Sequence, residues 1–256
     1  MKPSLSTPLP AMKGYASVAA ALAAWDAQSL RSRLEVVVLC PSGLGPAPGS
    51  HNPSHIIVDT GAADLHEARA LGVSHASAPF IMLAEDHCLP DPSWAEPILA
   101  RIDEGYDGVV SALRPGTRTG PFPLGSFLIG YGEWMEPVPS GLTDVMCGWN
   151  GTLRRDLLLA IDPAELRILM RLGAFLVRRL RQNGARFFLD HRARMRHFDP
   201  PGAAYECFLL FLVGLGFGAM RTRHWFPPLR LFYPLLFPAI ASAHARRAIR
   251  HFRRAG

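Results

Sequence analysis

Short apolar runs closed by turn residues constrain this chain more than any other feature of it. Residues 34–40 (LEVVVLC), 55–58, 79–84 (PFIMLA) and 108–113 (GVVSAL) are all brief and apolar. Runs of that length fit buried strands better than helices, which need ten or more residues. Stretches of helical composition lie at 17–32, 62–72 and 93–104, and residues 43–53 are turn-rich. Ser17 can cap the first helix and Gly72 can stop the second. Strands alternating with helices predict an α/β domain with a mostly parallel sheet flanked by helices. In such sheets ligands sit outside the carboxyl ends of the strands. The polar residues just after each strand are therefore the ones to inspect.

The rest of the chain is less regular. Residues 116–148 are rich in Gly, Pro and aromatics, which suggests a long functional loop or a short β excursion. Residues 153–184 read as mostly helical with a break near Pro163, and Phe187, Phe188 and Leu189 form a short strand candidate. With 49% hydrophobic and 19% charged residues, the chain can bury a sizeable core and is not a disordered protein. Cys40, Cys88, Cys147 and Cys207 are far apart and form no C-x-x-C pair, which argues against a disulfide framework or a zinc ribbon. The opening is polar and proline-rich, unlike a signal peptide.

The net charge of +6 is concentrated at one end. No acidic residue comes after Glu206, whereas eight arginines do, which leaves nineteen basic against twenty-one acidic residues elsewhere. A nucleic-acid-binding chain would carry a basic body, and this body is near neutral, so no nucleic-acid partner is expected. Residues 205–220 are apolar but fall short of the ~20 residues a bilayer span needs, and Pro227, Pro228, Pro234 and Pro238 break the apolar stretch beyond them. In residues 242–254, Ala245, Ala248, Ile249 and Phe252 share one helical face, with arginines on the other. That pattern suits an anionic membrane surface, with residues 205–254 lying in the leaflet and the active site near lipid acceptors. A buried, core-facing helical cap is the alternative. The expected division is 1–201 as the α/β domain and 202–256 as a membrane-associating helical segment.

The most informative stretch is AEDHCLPDPSW, residues 84–94. A buried strand delivers Glu85, Asp86 and His87 to its carboxyl end, and Pro90 and Pro92 shape the exit. Carboxylates grouped with an imidazole can hold a divalent cation, which would neutralise a diphosphate leaving group. A solvated acidic loop capping the next helix is the other reading.

The run ARALGVSHASAPFIMLAEDHCLPDPSW resembles the nucleotide-sugar-binding half of family-2 glycosyltransferases, in the order of Ala68-Arg69, Gly72, Ala76, Ala78, Glu85-Asp86-His87, Pro90, Pro92 and Trp94. Upstream, a helix with Gln28 precedes LEVVVLCPS; downstream, GWNGTLRRDLL is similar to the acceptor-side segment of that family, and Gly184 and His197 also fall in step. The resemblance runs over roughly residues 4–199. It implies a GT-A-like (Rossmann-like) fold and metal-assisted, inverting transfer of a sugar from a nucleotide-diphosphate sugar to a hydroxyl, on a lipid-linked or glycan acceptor. It implies Mn or Mg held by Asp86, His87 and His197, and substrate contacts from Ser42, Arg69, Glu85, Asp86, Trp149 and Asn150. A peripheral location at the inner face of a bacterial membrane is expected from the resemblance, the tail and the excess of arginine over lysine.

Three departures from the family pattern stand out. The opening strand is replaced by PSLSTPLPAM, whose three prolines disfavour an interior strand. The strand ending Leu39-Cys40-Pro41-Ser42 lacks the nucleobase-binding carboxylate. No carboxylate stands near Leu172-Gly173, where the acceptor-activating acid is expected. An inverting transfer needs a general base, and Asp144, Asp156, Asp162 and Glu165 are the nearest candidates, with Asp144 and Asp156 preferred. The aromatics Phe122, Phe127, Tyr131, Trp134 and Trp149 suit sugar stacking or core packing. A catalytically inactive, membrane-associated binding or scaffold protein is the alternative function, and a metal-dependent hydrolase using Asp86, His87 and His197 is a further one.

Overall fold

The structure is a computed structural model that describes residues 2–62, 64–116, 121–146, 149–198 and 203–255. Gly148 and the expected boundary at Pro201 lie outside the described residues, as does the side chain of Phe122. In chain order the elements are β1 (Leu5–Pro10), α1 (Ala19–Asp26), β2 (Leu34–Cys40), β3 (His55–Asp59), α2 (Leu65–His75), β4 (Phe80–Met82), β5 (Cys88–Pro90), α3 (Ala95–Asp103) and β6 (Gly108–Pro115). Then come α4 (Pro121–Gly130), β7 (Gly141–Thr143), β8 (Gly151–Arg154), α5 (Arg155–Leu159), α6 (Pro163–Leu169), α7 (Gly173–Gln182) and β9 (Phe187–His197). The chain closes with α8 (Ala203–Thr222), α9 (Pro227–Arg230) and α10 (Phe237–Ala255).

Among the described residues, nine strands form one sheet in the order β3-β2-β1-β4-β8-β6-β9-β5, with β7 on β9. β3, β2, β1 and β4 are parallel, as the strand–helix alternation predicts. Beyond β4 the sheet turns mixed, because β8 runs antiparallel to both β4 and β6.

Two compact units result: residues 1–114 with 138–196, and residues 115–137 with 197–256. The first unit holds the body of the sheet. The division falls at the last residues of β6 and β9, so Pro115 and His197 are the terminal residues of sheet strands.

β1 overturns the expectation that its prolines bar an interior strand. It lies between β2 and β4, and all six of its residues are buried. The physical reason is alternation. The Ala11 amide donates to the Leu39 carbonyl on the β2 side, so Pro8 and Pro10, one residue out of phase, face β4. There β4 pairs only with Leu5 and Ser6, and the missing proline N–H groups interrupt no bond.

Gly72 does not stop its helix. α2 runs on to His75, and a Cβ on Gly72 would stand 2.6 Å from Cβ of Pro8 and 2.8 Å from Cδ1 of Leu39. Glycine is there because helix and sheet touch at that point. The first helix is shorter than its composition predicts. It starts at Ala19, after a 3-10 turn, and Ser17 donates to the Gly14 carbonyl at 2.6 Å instead of capping.

Within the second unit, α10 packs on α4 and on the 3-10 turn Gly132–Trp134. Arg247 donates to the Ile129 carbonyl (3.0 Å), and Arg254 to those of Gly132 (2.8 Å) and Met135 (3.1 Å). These guanidinium groups satisfy carbonyls at and beyond the end of α4 that no helix bond reaches. Among the described residues, no helix is long and apolar enough to cross a membrane.

Candidate active site

β4 is fully buried, and its exit is clamped on the β8 side. The Leu83 amide donates to the Gly151 carbonyl (3.1 Å), and the Asn150 amide to the Leu83 carbonyl (2.7 Å). The chain then delivers Glu85 into a buried position and leaves Asp86 and His87 half-exposed. His87 Nδ1–H donates to Asp86 Oδ1 at 2.7 Å. That bond holds the Asp86 carboxyl below the usual carboxylate range, against burial that pushes it up.

Ligand atoms of Glu85, His87 and His197 all lie within 4.8 Å of one another. The sheet explains the convergence. β5 begins one residue after His87 and neighbours β9, whose last residue is His197. β9 continues well beyond the expected Phe187–Leu189 because it alternates: Ala193, Met195 and His197 point inward while Arg192, Arg194 and Arg196 point out. One carboxylate and two imidazoles, two of the three residues buried, form a donor set that could hold a divalent cation. Glu85, not Asp86, joins the two histidines; Asp86 stands behind His87, orienting its ring as carboxylates do behind metal-binding histidines.

Glu85 is itself supported. Arg69, buried on α2, brings Nη2 to 3.6 Å from Oε1, and the Asn150 side-chain amide donates to Oε2. The Arg69 guanidinium lies over the Trp149 ring, 3.8 Å from its centroid. The His66 ring stands 6.1 Å from that of Trp149, and its Nδ1–H donates to the Met170 carbonyl at 2.7 Å. Burial lowers the His66 pKa. Asn150 adopts the left-handed conformation (φ 63°), which asparagine tolerates better than most residues. Its Oδ1 is buried and accepts no hydrogen bond among the described residues.

Four of the residues singled out from sequence for substrate, Arg69, Glu85, Trp149 and Asn150, thus form one contact network. Ser42 lies elsewhere, at the carboxyl edge beyond β2, and donates to Asp59 Oδ1 at 2.6 Å. Asp59 closes β3 opposite Cys40 in register, so a carboxylate does stand beside the end of β2, carried by the neighbouring strand. Sequence reasoning ends β3 one residue short and misses it.

The candidate bases are not gathered at the cation group. Asp144 is 78% exposed and pairs with Arg181, and Asp156 is 71% exposed and pairs with Arg154. Asp162 caps α6 through the Ala164 and Glu165 amides, and Glu165 lies 3.7 Å from Arg179.

The mixed α/β sheet, with three candidate cation ligands at its strand ends, is that of a GT-A-type domain. Residues 50–158 match the sequence model of glycosyl transferase family 2. No curated protein matches it. Among solved structures it is similar to GalNAc-T7 with UDP, GalNAc and Mn²⁺, at a TM-score of 0.56 and 13% identity over 77% of this chain. The chain spans 45% of the length of that protein, and the likeness establishes the fold.

Proposed function

We propose that this chain transfers a sugar from a nucleotide-diphosphate sugar to a hydroxyl acceptor, lipid-linked or glycan, with inversion. The observation that carries the reading is the convergence of Glu85, His87 and His197 at the strand ends of a GT-A-type sheet. The family match and the similarity to a protein solved with UDP, GalNAc and Mn²⁺ support it. A divalent cation bound there supplies charge neutralisation for the departing diphosphate. In the transfer, the acceptor oxygen bonds to the anomeric carbon, the bond from that carbon to the diphosphate oxygen breaks, and a base takes the hydroxyl proton. Arg69 and Asn150 hold Glu85 in place, and Trp149 offers a half-buried ring face near them.

The experiment is incubation of the purified chain with Mn²⁺, a panel of nucleotide-diphosphate sugars and polyprenyl-phosphate or oligosaccharide acceptors. NMR then tracks the anomeric proton and the released nucleotide diphosphate. Inverted product supports the proposal, and nucleotide binding without turnover on any acceptor rejects it. The latter result supports the second reading, an inactive binding protein, which the lack of any carboxylate at Leu172-Gly173 favours. Sugar release without an acceptor would indicate a hydrolase.

A further inference from the structure

The second unit carries a large apolar surface that no described residue of the unit covers. Among the described residues, fifteen of the twenty-one exposed large hydrophobics lie between Phe208 and Phe252. The most exposed are Leu231 (80%), Leu235 (73%), Phe237 (69%) and Phe226 (68%), clustered around α9 and the 3-10 turn after it. Isolated exposed leucines are ordinary, but a run this dense marks an interaction surface.

α10 shows which way that surface faces. A core-facing amphipathic helix would bury Ile249 and Phe252. Here they are 51% and 57% exposed, and the covered line is Ile240, His244, Arg247 and His251. His251 abuts Gly132, where a Cβ would stand 2.8 Å from its ring, and its Nε2 is 3.4 Å from Glu133. The helix therefore docks through its polar side. At about 100° per residue, the opposite side combines the strip Ala245, Ile249 and Phe252 with the adjoining strip Arg246, Arg250 and Arg253. Those three arginines make no hydrogen bond or ion pair among the described residues, and no acidic residue comes after Glu206.

We propose that this surface binds in the plane of an anionic lipid bilayer, with the apolar side chains of Phe208, of residues 211–237 and of the outer face of α10 in the headgroup–acyl boundary and the arginines on lipid phosphates. Charge decides between occupants. A second copy of the chain would bring arginine strip against arginine strip, a like-charge pairing, whereas an anionic leaflet complements it. The short, proline-broken helices suit lying on a membrane rather than spanning it.

The test is flotation of the full chain with phosphatidylcholine vesicles and with vesicles containing 30% phosphatidylglycerol. Two variants are compared: F226S/L231S/L235S/F237S and R246E/R250E/R253E. Both alter exposed positions, and Mn²⁺ binding and circular dichroism report that the fold is kept. The expected result is binding to the anionic vesicles, weakened by 0.5 M salt and reduced at least tenfold in each folded variant. Failure of the wild-type chain to float with anionic vesicles overturns the proposal, as does equal flotation of the folded variants. Concentration-dependent self-association by light scattering, without vesicle binding and lost in the serine variant, would assign the surface to a second copy instead.

Discussion

The Glu85 carboxylate pairs with the Arg69 guanidinium, 3.6 Å from Oε1, and accepts a hydrogen bond at Oε2 from the Asn150 side-chain amide. Both partners are buried, so the carboxylate reaches the cation group already oriented. Removing Arg69 leaves a buried charge with one partner fewer. Arg69→Met is expected to lower stability by about 3 kcal/mol and to weaken Mn²⁺ binding about tenfold. Arg69→Lys keeps the charge but loses the planar stack on Trp149, so it recovers only part of either loss. Urea unfolding and calorimetry on the same samples check this; wild-type Mn²⁺ affinity in folded Arg69→Met would refute the positioning role.

Asp86 should behave differently from Glu85. It bonds His87 rather than joining the cation group, so Asp86→Asn keeps a polar partner for the ring and loses charge. We expect Mn²⁺ affinity to fall by about tenfold in Asp86→Asn and further in Glu85→Gln, in the range seen for residues behind metal ligands and for ligands themselves. Equal losses in the two variants, measured by titration, would contradict the assignment.

Gly72 tests the packing of α2 on the sheet. A methyl there meets Pro8 Cβ and Leu39 Cδ1 well inside contact distance, and the Pro8 ring is fixed to a buried strand and cannot swing away. Gly72→Ala is expected to destabilise by about 2 kcal/mol even though alanine favours helix. A thermal melt at or above the wild-type midpoint would show that α2 can shift away.

Asp190 sets a pH dependence of stability. Burial raises its pKa, but hydrogen bonds from Arg192 (2.7 and 3.0 Å) and Arg101 (2.9 Å) outweigh that and hold it well below the ordinary carboxylate range. A depressed folded-state pKa means the contribution is complete above the unfolded value of about 4 and is lost as pH falls below it. Asp190→Asn is expected to cost about 2 kcal/mol at pH 7 and to flatten the fall in stability between about pH 4 and pH 2. Urea midpoints across that range check it; a variant as acid-sensitive as the wild type would assign the loss to other carboxylates.

Much of the fold is legible in the chain because local pattern and tertiary role agree. The apolar runs at β2, β4 and β6 are strands, and the acidic residues after PFIMLA do stand at a strand end. The illegible parts depend on neighbours. β1 reads as a poor strand until the side facing β4 turns out to need no proline N–H. Gly72 reads as a stop until Pro8 lies beneath it. β9 hides behind its arginines; the alternation of Ala193, Met195 and His197 is the available signal, and it carries the histidine to Glu85. Asp59 lies beside Ser42 only through strand register.

The most direct measurement is calorimetric titration of UDP into the wild-type chain and its Glu85→Gln variant, each with and without Mn²⁺. A cation cradle at Glu85, His87 and His197 requires UDP binding that Mn²⁺ strengthens at least tenfold in the wild type and not in the variant. Binding indifferent to Mn²⁺, or a variant that responds to it as the wild type does, would contradict that cradle.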